Sequence, residues 1–248
     1  MAVRARRRLR LLVLLLIGLL PSFLKKALLR VLFGYRFGPG VRVGLSLLDA
    51  ERLELGAGTV IGNFNLITQV KELRTGPHAH VGVLNIIRGG DLVVLGAYAS
   101  VMRLNVLNAI PDHDCTTDPH SALELGDGAV VVSGHRIDFT DRVSLGKNVI
   151  VGGRNSSLWT HSRQETAPIR IGDFCYLGSE VRLAPGAELP DECILALGSV
   201  LAGRVEESRS LVGGVPARVL RSLSEADLAL VRRKTRPDIP EGFYEART

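Results

Sequence analysis

His161 follows Thr160 at the start of a charged stretch, Ser162-Arg163-Gln164-Glu165, that ends at Pro168. An imidazole, whose ordinary pKa of ~6.5 leaves it neutral near pH 7, can take the proton of a hydroxyl as that hydroxyl attacks. His161 is therefore the first candidate for a general base. His135 is the second, with Asp138 and Asp141 shortly after it as carboxylates that could orient an imidazole or accept hydrogen bonds from sugar hydroxyls. The alternative reading of His135 is a polar residue at a corner of the chain. Trp159 fits either a platform on which a sugar ring stacks or an anchor that holds the loop on the body of the protein. His78 and His80 alternate as strand neighbours do, but neither His113 nor His120 follows at an offset that would complete a ligand set, so no metal site is expected. Cys115, Cys175 and Cys193 form neither a CxxC pair nor an even disulfide framework, which suits a reducing compartment; Cys175 and Cys193 read as small core residues.

The elements that must position these groups show in a period of six. Ile171, Leu177, Leu183, Leu189, Leu195 and Leu201 are evenly spaced, and each is followed by Gly, Ala or Pro. Four residues after each comes a small or β-branched side chain: Cys175, Val181, Ala187, Cys193, Ser199 and Val205. This period matches neither a helix nor a flat sheet, and fits a parallel β-helix whose triangular coil has three six-residue sides. Weaker versions of the pattern begin near residue 40, at Leu55, Ile61, Leu125, Leu145 and Val151. The spacing from Leu125 to Leu145 exceeds one eighteen-residue coil by two residues, placed around His135 to Arg142. That from Leu145 to Ile171 exceeds it by eight, placed as a loop around Leu158 to Pro168 that carries His161.

Of the 248 residues, 46% are hydrophobic and only 5% aromatic, which excludes a disordered chain and suits short aliphatic strands joined by turns. The net charge of +6 is uneven: residues 1–48 hold ten basic residues and no acidic one, leaving 21 basic against 25 acidic in the remainder. The basic excess lies beside an apolar run without interleaved aromatics, so nucleic-acid binding is not expected. Five arginines from Arg4 to Arg10 precede the apolar stretch Leu11 to Leu20, which is short for a membrane span. No small-x-small cleavage site follows it. Beyond Pro21, Phe23, Leu24, Leu28, Val31 and Leu32 share a helical face, with Lys25, Lys26 and Arg30 assigned to lipid headgroups. Residues 1–33 thus read as an interfacial membrane anchor whose removal leaves the coil folded. The competing reading is a helix covering the end of the main domain. The expected organisation is 1–38 as the membrane-associating helical segment, 39–221 as the β-helix, and 222–248 as a short C-terminal helix and tail.

Three motifs give the chain a resemblance. Thr160-His161 with the return Pro168-Ile169-Arg170-Ile171-Gly172-Asp173, the run Leu195-Ala196-Leu197-Gly198-Ser199-Val200, and the closing Gly214-Val215-Pro216-Ala217-Arg218-Val219-Leu220-Arg221 resemble the hexapeptide-repeat acyltransferases, in particular their maltose/galactoside and polysaccharide O-acetyltransferase branch. The resemblance implies an all-β, left-handed parallel β-helix and a homotrimer with its clefts between subunits. It also implies acetyl-CoA as co-substrate, a sugar or glycan acceptor and a histidine base. It assigns Gly178, Ser179, Leu197, Gly198, Ser199, Arg218 and Arg221 to the donor groove, these two arginines facing the CoA phosphates, with Arg204 either a third positive charge there or a solvated turn residue. The chain departs from the family at Ala202-Gly203, where Thr-Lys is frequent, and at Ser133-Gly134-His135, where an Asn is usual. The expected protein is a cytoplasmic O-acetyltransferase at the inner face of the cell membrane, acting on a cell-surface polysaccharide or its lipid-linked precursor. The alternatives are N-acylation of an amino sugar and a non-catalytic membrane-associated scaffold.

Overall fold

An apolar residue at every sixth position turns inward once per side of a triangular coil, and stacking successive coils lines up these residues as parallel rows. The computed structural model describes residues 2–110 and 120–247, so His113 and Cys115 lie outside the described residues. Leu55, Leu95, Leu125, Leu145, Ile171 and Leu189 stack along a first face. Ile61, Val81, Val101, Val131, Val151, Leu177 and Leu195 stack along a second. The third face carries Leu48, Ile67, Ile87, Leu107, Ile137, Leu158, Leu183 and Leu201, one from each of eight coils. All these strand pairs are parallel; the antiparallel pair Ser210–Gly214 and Ala217–Ser222 closes the last coil. Cys175 and Cys193 are free, buried and one coil apart, the Cys193 N–H donating to Cys175 Sγ at 3.5 Å. Burial pushes the Cys175 thiol up, which keeps it protonated and inert.

Eighteen-residue coils occur at the start, where Phe37 pairs with Leu55 and Val43 with Ile61, and again towards the C-terminal end. Leu55, Thr75 and Leu95 are register partners twenty residues apart, as are Leu125 and Leu145. The extra pair lies between the third and first faces, the edge from which residues 160–168 also leave the coil. This edge is called the third edge below; the first lies between faces one and two, and the second between faces two and three.

Two helices, α1 (Ala2–Gly18) and α2 (Ser22–Phe33), close the N-terminal end of the coil. Half of the backbone groups of the first coil point away from the second coil and need partners. Lys25 donates to the carbonyl of Gly44, Lys26 to that of Val41 at 2.6 Å, and Arg30 to that of Phe37 at 2.9 Å, while Ser22 Oγ accepts from the Val43 N–H at 3.0 Å. Arg10 pairs with Asp49 at 2.7 Å and donates to the Ala50 carbonyl. Leu14, Ile17 and Leu29 join the coil's apolar core. The cations expected at lipid headgroups are therefore turned inward by an open sheet edge, and the helices are part of the domain's core.

At the other end, α3 (Glu225–Arg232) begins with a capping box between Ser224 and Asp227, and the chain beyond it runs back along the first edge. Tyr244 donates to Asn148 Oδ1 at 2.8 Å, Thr235 to the Gly128 carbonyl at 2.6 Å, and Arg236 to Ser100 Oγ at 3.0 Å. The first edge is thus strapped by the chain's own tail.

Candidate active site

Thr160 and His161 open the loop that leaves the third edge after Leu158. The loop is a tight return in which His161 bridges Thr166, the Ser162 N–H donates to the Glu165 carbonyl at 2.8 Å, and the Ala167 N–H donates to the Thr160 carbonyl at 2.9 Å. His161 is half-buried at its lip. The fully buried Thr160 hydroxyl donates to Asp138 Oδ1 at 2.8 Å and accepts from the Asp141 N–H at 3.0 Å. Asp138 also accepts from the Thr140 N–H and hydroxyl, both at 3.2 Å. Only 1% exposed, Asp138 braces the loop from beneath and is not open to a substrate. Asp141 is half-buried and caps its own corner through the Arg142 N–H at 2.7 Å. Trp159 lies one coil above Asp138 with the Arg136 guanidinium 5.0 Å from its ring centre, so one part of its π surface is already engaged.

His135 is placed elsewhere. It sits four residues after Val131, inside the second edge, and not on the two-residue insertion where the spacing had put it. Asn65, Asn85 and Asn105 occupy the equivalent slots of the preceding coils and form a buried amide ladder: Asn85 Nδ2 donates to Asn65 Oδ1 at 3.0 Å, and Asn105 Nδ2 to Asn85 Oδ1 at 3.1 Å. His135 ends this ladder, its N–H donating to Asn105 Oδ1 at 2.9 Å and its Nδ1 accepting from the Ser156 N–H at 3.2 Å. An accepting Nδ1 puts the neutral ring's proton on Nε2. Nε2 makes no well-formed hydrogen bond, although the carbonyls of Gly153 and Val151 favour the charged ring. Desolvation outweighs them and pushes the imidazole down to about 4. At 1% exposure this ring has no route to a hydroxyl arriving from solvent.

The predicted donor residues form two groups. Gly178-Ser179 and Leu197-Gly198-Ser199 are stacked turns of the second edge, one coil apart, with the Gly198 N–H donating to the Ser179 carbonyl at 3.0 Å. A Cβ on Gly178 would come within 2.8 Å of the Leu197 nitrogen, so only glycine allows this stacking; Gly198, at φ +70°, faces open space. Leu197 is 70% exposed, whereas Ser199 is buried and accepts from the Gly214 N–H. Arg204 and Arg218 instead line a cleft of about 450 Å³ with Ala202, Gly203 and Pro216 at the C-terminal end of the third edge. Leu158, Leu183 and Leu201 stack in order, so this cleft begins two coils, ~10 Å, above the start of the His161 loop. Arg204 lies 3.6 Å from Glu188 and 3.2 Å from Glu206, which compensate its charge. Arg221 is tied to Asp227 at 2.7 Å and helps cap α3. Arg218 hydrogen-bonds the neighbouring Ala217 carbonyl and, among the described residues, has no acidic partner.

The described residues hold no group of three or more potential metal ligands. His78 stacks on Tyr98 with ring centres 5.0 Å apart, and His120 lies 3.9 Å from Asp91.

These features define a parallel β-helix with a loop-borne histidine and an arginine-lined cleft on one edge. No family model matches the sequence. The galactoside O-acetyltransferase of Escherichia coli (strain K12) is 25% identical over 101 residues, which are 39% of this chain and 49% of that protein; the chain thus spans about half the length of that curated relative. The UDP-N-acetylglucosamine acyltransferase from Campylobacter jejuni superposes with a TM-score of 0.60 at 20% identity, covering 81% of this chain and 78% of that one. LpxA from Acinetobacter baumannii gives 0.51 at 12% identity, covering 86% and 78%. The fold is the left-handed β-helix of these structures, and part of the sequence is similar to a galactoside O-acetyltransferase.

Proposed function

We propose that the protein transfers an acetyl group from acetyl-CoA to a sugar hydroxyl of a cell-surface polysaccharide or its lipid-linked precursor, in the cytoplasm at the inner face of the membrane. The observation that carries this reading is the placing of His161 and the Arg218 cleft on one edge, about two coils apart. In the proposed step, His161 takes the hydroxyl proton as the oxygen attacks the thioester carbonyl. The C–S bond then breaks, and the CoA thiolate recovers the proton. Arg218 holds a CoA phosphate by charge-assisted hydrogen bonds, and Trp159 packs against the sugar.

The second-edge turns at Gly178 and Leu197 and the third-edge loop at His161 stand on different edges of the β-helix, so a ligand touching both needs two protomers. A heterologous contact of second edge with third edge closes into a ring, and a homotrimer is the proposed assembly. Incubation of the full chain with labelled acetyl-CoA and envelope glycan tests the reaction, with a 10²–10⁴-fold loss expected in His161→Ala. Neither His161→Ala nor Leu197→Glu trimers should be active alone. Co-refolding them 1:1 should restore activity at about a quarter of the sites, because only that fraction pairs two intact edges. No recovery would refute the shared site, and a fully active His161→Ala would remove the base.

A further inference from the structure

The helix pair carries two opposed faces. Arg10, Leu14 and Ile17 of α1, and Lys25, Lys26, Leu29 and Arg30 of α2, are turned to the open end of the first coil and fixed there by the contacts described above. At 100° per residue the opposite sides hold Leu12 and Leu16 of α1, with Leu19 just past its end, and Leu24 and Val31 of α2, with Phe23 beside them. These six are solvent-exposed, Val31 at 82% and Phe23 at 72%. The apolar surface is therefore the base of the prism, perpendicular to the coil axis. Arg7 and Arg8 are exposed on α1, and no acidic residue precedes Asp49. A second copy placed base to base would bring two cationic rims together, whereas an anionic lipid surface complements both the charge and the apolar face. No helix among the described residues is long and apolar enough to cross a membrane, and the inward cations hold both helices flat against the coil.

We infer that the protein stands upright on an anionic bilayer, with its base in the interface and its coil axis along the membrane normal, and this rests on the membrane reading made above. Leu48, Ile67, Ile87, Leu107, Ile137 and Leu158 are successive register partners, so the His161 loop starts five coils above the first. At ~4.8 Å per coil, with a helix layer ~10 Å thick beneath, His161 lies roughly 34 Å above the base. The acceptor at that height is a sugar far along an extended glycan chain. The sugar next to a lipid anchor does not reach it.

Trp159, the chain's single tryptophan, marks the height of the site. On phosphatidylglycerol vesicles the wild-type protein should float with the lipid while bromolipids leave Trp159 fluorescence unquenched. A Val31→Trp, Trp159→Phe protein should show a blue shift and strong quenching. Quenching of Trp159 on bound protein would overturn the upright pose and leave membrane binding intact. Failure to float would overturn membrane binding itself, and a lipid-independent dimer abolished by Val31→Asp would make a second copy the occupant of the base. With labelled acetyl-CoA, a long membrane-anchored glycan should be modified on vesicles, and a short lipid-linked sugar only in detergent. Modification of the short acceptor on vesicles refutes the height limit; no transfer to either acceptor in detergent refutes acetyl transfer.

Discussion

Replacing His135 by Asn separates a structural histidine from a catalytic one. In the folded protein burial holds the ring down to about 4, against an ordinary ~6.5 once the chain unfolds. Between those values the unfolded chain binds a proton that the native chain does not, so stability falls as pH is lowered from about 6.5 towards 4 and is flat below. At 1.36 kcal/mol per pKa unit the whole effect is about 3.4 kcal/mol, of which about 1.2 kcal/mol is lost between pH 7 and 5.5. That window stays above the carboxylate range, and His80, pushed down by burial and by Arg236, acts with the same sign in both proteins and cancels. For a chain of this size the loss is a fall in Tm of roughly 2–5 °C. Calorimetry at the two pH values should show this extra fall in the wild type and not in His135→Asn. An asparagine there extends the ladder of Asn65, Asn85 and Asn105, so acetyl transfer at pH 7 should persist. An unchanged pH dependence would refute the buried neutral ring, and a folded but inactive variant would return the base role to His135.

Three other perturbations follow from the contacts. Arg218→Ala should raise the acetyl-CoA KM roughly tenfold or more with little change in kcat, since one charge-assisted phosphate contact is worth ~1.5–3 kcal/mol and the phosphates lie far from the reacting carbonyl; initial-rate kinetics check this. Lys25→Met removes the buried donor to the first coil's carbonyls and should cost about 1.5–3 kcal/mol in urea unfolding, and deletion of residues 1–33 should give an aggregating protein.

The repeat from Ile171 to Val205 could be read directly because every coil there has eighteen residues and each slot keeps its residue type. Towards the N-terminus the two extra residues per coil disturb the six-residue register, so Leu55 and Ile61 gave only its beginning. The slot rule contained the answer for His135, which stands four residues after Val131 just as Val181 follows Leu177; the chemical appeal of an imidazole near two aspartates hid it. Asn65, Asn85 and Asn105, twenty residues apart, were the missed signal. Lys25 was misread for a different reason. A helical pattern shows which side chains share a face, but not that an open sheet edge lies beyond that face with carbonyls to satisfy. The loop that carries His161 was legible as an insertion, and an insertion remains visible whatever the coil length.

The edges of the coil differ in what they can tolerate, and this explains where the candidate chemistry lies. Along the second edge from Asn65 to His135 each buried amide bonds the next and the six-residue side is kept, and an extra residue enters just beyond the ladder, between Val151 and Leu158. At the first edge the tail from Val231 to Tyr244 needs evenly stacked turns for its contacts with Gly128 and Asn148. The third edge has neither constraint, and there the chain adds two residues in several coils and the His161 loop. Asp138, Thr140 and Thr160 show how such an addition is kept rigid: a buried carboxylate gathers two threonine hydroxyls at the foot of the loop. A β-helix thus gains a surface loop without loosening its core, and the half-buried histidine at the lip of that loop is held by groups buried beneath it.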